Sequence, residues 1–136
     1  MNNKISKSLA FLFLTSLLLF SCKKDNDKPN NSGSDKRKVK YELSGNFTGK
    51  LLVVTSTNTG ALQQFNGVAL PWTKEIQYDK NVMAAGAGVQ TENENRGVAG
   101  QTFTLKVYIN NKLKDTKTVT ADANGMINIS MAFYTF

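Results

Sequence analysis

The chain has no histidine. That absence removes the commonest general base, the usual partner of a serine or cysteine nucleophile, and the commonest metal ligand. It has one cysteine, Cys22, so no disulfide can form within the chain and no thiolate cluster can hold a metal. Acidic residues are few and scattered, 10 against 17 basic ones. A long apolar run is missing too. The longest predominantly apolar run, residues 9–20, has about a dozen positions, short of the ~20 that a helix needs to cross a bilayer. With neither histidine nor a free thiol in the folded part, an enzyme would depend on carboxylates alone. The chain therefore reads as non-enzymatic, with no cofactor and no metal.

What is present begins with an export signal. Asn2, Asn3, Lys4 and Lys7 form a positive start, the apolar run follows, and it stops at Ser21-Cys22. The sequence Leu18-Leu19-Phe20-Ser21-Cys22 resembles a lipobox, with an aliphatic residue three before the cysteine and a small one just before it. Lipid attachment as a thioether needs a thiolate, the best nucleophile among the side chains. Each buried methylene adds ~0.8 kcal/mol, so two or three acyl chains hold a protein on a membrane. Residues 1–21 are thus expected to be a lipoprotein signal peptide, Cys22 the lipidation site, and the membrane the first partner, reached through the anchor.

Residues 22–40 read as the lipidated cysteine and a flexible basic tether. Between Lys23 and Lys38 there is no large apolar residue, so ordering the segment would gain too little buried surface. Its Cys-Lys-Lys-Asp-Asn-Asp start resembles the charged stretch behind the lipid-bearing cysteine of surface lipoproteins of the Bacteroidota type. Lys23 in place of Asp argues against retention in an inner membrane, and an outer-membrane lipoprotein, on the periplasmic side or at the cell surface, is expected. The formal charge of +7 divides into +2 in the signal, +4 in residues 23–40 and +1 in residues 41–136. A nucleic-acid binder would carry its positive charge on the folded surface, so no nucleic-acid partner is expected. Beside the lipid, the charge suits anionic headgroups.

Residues 41–136 are expected to form one all-β domain. The clearest strand is residues 102–109, where Phe103, Leu105, Val107 and Ile109 alternate with Thr104, Lys106 and Tyr108, the period of a half-buried strand. Val39, Tyr41 and Leu43 alternate in the same way. Further strands are expected at 50–57, 61–65, 68–78, 82–91, 113–120 and 126–133, with turns at Asn66-Gly67, Asn110-Asn111 and Asp122-Ala123-Asn124-Gly125. No segment there shows a helical period with a capping residue before it. Short strands at near-regular spacing point to a sandwich or small barrel.

Two motifs invite chemistry. Glu92 and Glu94, two apart, would share a face if the segment were a strand, in the manner of a calcium-ligand pair. Calcium takes six or more oxygens, and a solvated loop joining two strands is the preferred reading. Ala84-Ala85-Gly86-Ala87-Gly88 lacks the third glycine and the helix start of a phosphate loop. Small residues on a strand more often admit a neighbouring backbone or a large aromatic. Recognition is expected in loops on the rigid scaffold, with Asn58, Thr59, Gly60 and Glu92, Asn93, Glu94, Asn95, Arg96 as candidate contacts.

Tyr41-Glu42-Leu43-Ser44-Gly45, Leu70-Pro71-Trp72 and the 103–114 hairpin with its Tyr-Ile-Asn-Asn-Lys turn follow one another in an order that resembles the soluble domain of the MmpS family. These are small accessory proteins of mycobacterial membrane transporters. The resemblance implies an immunoglobulin-like β-sandwich of about seven antiparallel strands. It also implies an accessory role beside a transporter of the resistance-nodulation-division type, a membrane-transporter protein partner. The chain departs from the family in carrying a lipid site in place of a transmembrane helix, and in having no cysteine pair in its late strands. A structural lipoprotein of the envelope or cell surface, with no specific small ligand, is the alternative.

Overall fold

A computed structural model describes residues 37–136; the expected signal peptide, Cys22 and most of the tether lie outside the described residues. Eight strands follow in chain order: β1 (Lys38–Gly45), β2 (Leu51–Ser56), β3 (Leu62–Val68), β4 (Trp72–Gln77), β5 (Ala84–Thr91), β6 (Thr102–Ile109), β7 (Lys112–Thr120) and β8 (Asn128–Thr135). They form two four-stranded sheets, β4-β1-β6-β7 and β3-β2-β5-β8, and every pairing is antiparallel. The all-β sandwich expected from the alternating pattern is what the structure shows. In an immunoglobulin constant-type domain the first two strands share a sheet. Here β1 and β2 lie in opposite sheets, so this sandwich has its own strand order.

Alternation supplies the core. Val39, Tyr41 and Leu43 of β1 and Phe103, Leu105 and Val107 of β6 point inward from one sheet and are buried. Leu51 and Val53 of β2, Ala85, Ala87 and Val89 of β5, and Ile129 of β8 meet them from the other sheet. Burying each large aliphatic or aromatic side chain contributes roughly 1.5–3 kcal/mol. The alanines of β5 are small for a reason: Tyr41 crosses the sandwich, and its hydroxyl donates to the carbonyl of Gly86 at 3.1 Å. The same hydroxyl meets that of Tyr78 at 2.9 Å. Tyr78 in turn donates to the Ser56 carbonyl at 2.9 Å, and the Gly86 amide donates to Ser56 Oγ at 2.8 Å. One buried polar chain thereby links the two sheets, each member satisfied by the next. Burial first, and the Tyr78 hydroxyl second, push the Tyr41 phenol well above its ordinary pKa, so it stays a neutral donor.

The open sides of the sandwich are closed by side chains. At the β3/β4 side the rings of Phe65 and Trp72 stack at 5.5 Å with a 58° tilt. At the β7/β8 side the Tyr134 hydroxyl donates to Asp115 at 3.0 Å. Burial, and then that carboxylate, raise the Tyr134 phenol. Leu70-Pro71-Trp72 sits where the chain passes from one sheet to the other, and Trp72 begins β4 half-buried.

Three boundaries differ from expectation. β1 begins at Lys38, so residues 38–40, assigned to the tether, belong to the fold. Asn66-Gly67 is not a turn: β3 runs through it. Between the pairs Leu51/Val68 and Val53/Phe65 the register slips, two residues of β3 facing one of β2. Gly67, at φ +66°, makes this a bulge, a feature that uses the same left-handed glycine as a tight turn. The single strand expected over 68–78 is instead the end of β3, a crossing at residues 69–71, and β4. Asn110-Asn111 turns as expected, with both residues at positive φ (52° and 65°), the conformation that a two-residue hairpin with matching twist requires.

Candidate interaction face

The two candidate loops are not brought together. Asn58, Thr59 and Gly60 follow the end of β2, where the Asp79 amide donates to the Asn58 carbonyl at 2.9 Å. Thr57 and Thr59 pair their hydroxyls at 3.1 Å. The Glu92–Arg96 loop lies at the opposite end of the sheet, against the start of β2: the Lys50 amide donates to the Asn95 carbonyl at 2.8 Å and the Glu92 amide to the Lys50 carbonyl at 2.9 Å. Six residues of β2 separate the two loops, roughly 20 Å of extended chain.

Within the second loop the polar side chains serve the fold. Glu92 Oε1 accepts from the amide of Gly67, holding the bulge of β3, and Glu92 Oε2 accepts from Asn95 at 3.4 Å. Arg96 Nε donates to the Asn93 carbonyl at 3.2 Å. Glu94 has no hydrogen bond or ion pair among the described residues and is exposed. No group of three or more acidic, cysteine or histidine side chains converges on a metal-sized site among the described residues. The carboxylate pair is a loop-bracing residue and a solvated one.

The feature that sets this molecule apart lies on the sheets themselves. The strands of the β4-β1-β6-β7 sheet carry seven lysines and three carboxylates. The strands of the β3-β2-β5-β8 sheet carry no charged residue at all. On the charged sheet, Lys40 Nζ bonds Glu42 at 2.7 Å and sits 4.3 Å over the Tyr108 ring; Lys38 pairs with Glu75 at 2.6 Å. The hydrogen bond from Lys40, with a second from Tyr108, lowers the Glu42 carboxyl below its ordinary value. Glu42 in return raises Lys40 and Tyr108.

On the uncharged sheet the outer face is apolar at its centre. Leu52 and Val54 of β2, Leu62 of β3 and Met131 of β8 wall a groove of about 410 Å³ whose floor includes Gly88. The glycines of β5 create the depth. A Cβ at Gly86 would lie 2.5 Å from the Met131 methyl and 3.0 Å from the Phe133 ring, and one at Gly88 would lie 3.2 Å from the Met131 Cα. Met131 and Phe133 thus lean over a strand that has no side chains to lift them. Even so, Phe133 remains 66% exposed and Leu62 62%. Around this centre the strand residues are polar and uncharged: Gln64, Asn66, Gln90, Asn128 and Ser130 are all exposed, and Gln64 and Asn66 bond each other at 2.7 Å; Glu92 and Glu94 stand at one end, beside Leu52 and Gln90. An apolar centre inside a polar rim is the anatomy of a protein contact surface. Leu62 and Phe133 stand on the two edge strands of this face, β3 and β8, on either side of its centre.

The Ala84–Gly88 run is therefore a strand, as its composition implied, and its small residues serve both sides: alanines admit Tyr41 inward, glycines admit Met131 and Phe133 outward. The sequence singles out the loops and gives no local sign of this face. The signal was present as the complete absence of charge from the four segments that make one sheet. Comparison with protein-family models and with curated proteins found no match for the chain.

Proposed function

We propose that this chain is a lipid-anchored, non-enzymatic accessory or binding module of the bacterial cell envelope, contacting a protein partner through the uncharged outer face of the β3-β2-β5-β8 sheet. The observation that carries the reading is that face: four strands without a charge, an apolar groove, and two large side chains left exposed on it. The anchor rests on Cys22 and the signal before it. The partner class follows the MmpS resemblance, a membrane transporter of the resistance-nodulation-division type, with the domain held near the outer membrane by its tether.

The test has two parts. Radiolabelled palmitate should enter the wild-type chain and not Cys22→Ala, which should also leave the membrane fraction; equal labelling of both would contradict the anchor. Full-length wild-type protein should then capture a transporter component from detergent-solubilised membranes, and Leu62→Lys should lose it. Capture unchanged by Leu62→Lys would contradict the face.

A structural envelope role without a specific ligand is the second reading. The local use of Glu92, Asn95 and Arg96 favours it, because loops so braced offer little to a small ligand. A deletion strain with altered envelope permeability and unchanged export would select it.

A further inference from the structure

Resting on the reading that the uncharged face is a contact surface, we infer that its first occupant is a second copy of this chain, packed face to face about a two-fold axis. Three observations lead there, and a fourth limits the strength. A two-fold contact uses one patch on both copies, so a groove and the projection that fills it must lie on the same surface. This face carries both: the groove walled by Leu52, Val54 and Leu62, and beside it the exposed ring of Phe133.

Self-association also brings together two faces of the same net charge, which penalises any face bearing a net excess of one sign. The charged sheet, with its excess of lysine, is disfavoured by that rule, whereas the strands of the other sheet carry no charge and the nearest carboxylates, Glu92 and Glu94, lie in the loop at its end. Pairing then turns both lysine-bearing faces outward.

The free edges of the uncharged sheet point to its face as the contact. β3 is bulged at Asn66-Gly67, and β8 is bulged opposite Gly88, where the register slips between Ala87 and Val89. Bulges are how edge strands avoid adding a further strand. The flat region left for contact is the centre.

Size sets the strength. Four strands of six to eight residues give a face of about 20 by 23 Å, or roughly 900 Å² over two copies before surface relief is counted. Specific interfaces clear ~1,000 Å². The dimer is therefore weak in solution and is favoured where anchoring confines copies to one membrane.

The experiment uses the full-length chain in detergent, with micelles in excess, followed by sedimentation from 1 to about 100 times the lowest usable concentration. Wild type should pass from monomer to dimer. Leu62→Glu and Phe133→Lys should each weaken dimerisation at least tenfold, with unchanged circular dichroism, and Thr104→Lys on the other face should not. Mixing Leu62→Glu with Phe133→Lys should restore a heterodimer, because the new lysine of one copy then enters the groove bearing the new glutamate of the other. A protein that stays monomeric throughout, or single variants that dimerise like wild type, would overturn the inference. A monomer that still loses a transporter component or vesicle binding on Leu62→Glu would overturn it while leaving the contact face standing.

Discussion

Lys40, Glu42 and Tyr108 on one outer face, and Leu52, Val54 and Phe133 on the other, sit on strands of the same geometry around the same core. The first three satisfy one another by an ion pair and a cation-π contact and need nothing further. The second three line or flank a groove and leave a ring exposed. Sandwich architecture requires only that inward positions be apolar; it leaves the outward positions free. An outward face left uncharged across a whole sheet, and apolar at its centre, contributes little to holding the sheets together, and that freedom is where function can be written.

The contrast gives its own tests, beginning with the largest effect. Leu105, buried between the sheets, should cost about 2–5 kcal/mol when changed to Ala. Phe133→Lys on the apolar outer face should change stability by no more than about 0.5 kcal/mol, as exposed sites usually do. Urea unfolding of both variants measures the difference; a Phe133→Lys as damaging as Leu105→Ala would mean that the outer face holds the fold.

A smaller effect concerns the polar chain between the faces. Tyr41→Phe strips the Gly86 carbonyl and the Tyr78 hydroxyl of a buried partner and should destabilise by about 1–3 kcal/mol. The nearby Thr55 hydroxyl is buried with no hydrogen-bond partner among the described residues, so Thr55→Val should stabilise by about 1 kcal/mol. Opposite signs for two hydroxyls in one core, read from the same urea midpoints, would show that satisfaction rather than polarity decides. Destabilisation by Thr55→Val would show that this hydroxyl has a role in the core.

The smallest effect belongs to the charged face. Because the folded pKa of Glu42 is lowered, its contribution is present above the ordinary glutamate value, about 4.3, and is lost as the pH falls through the lowered one. Wild type and Glu42→Gln should differ slightly near neutrality and converge in acid. A gap that widens on acidification would contradict the Lys40–Glu42 pairing. The effect stays small because exposed ion pairs gain little over their hydration.

Much of this fold is legible in the chain. The alternation of Phe103, Leu105 and Val107 and the Asn110-Asn111 turn are local signals, and both stand in the structure as read. Asn66-Gly67 misleads because a left-handed glycine suits a hairpin and a bulge equally, and only the pairing with β2 decides between them. Lys38 and Lys40 look like tether because charge outweighs the one-residue alternation around Val39; in the folded chain they find Glu75 and Glu42. The uncharged face was hidden for a different reason. β2, β3, β5 and β8 are scattered along the sequence, so four uncharged segments become one uncharged surface only when the sheet is assembled. Loops 58–60 and 92–96, attractive for their polarity, prove to lie at opposite ends of that sheet.

The most direct measurement places a photoreactive phenylalanine analogue at Leu62 in the full-length protein in intact cells, with the same analogue at Thr104 on the charged sheet as comparison. The account predicts a protein adduct from position 62 and none from position 104. Adducts from 104 with none from 62 would contradict it.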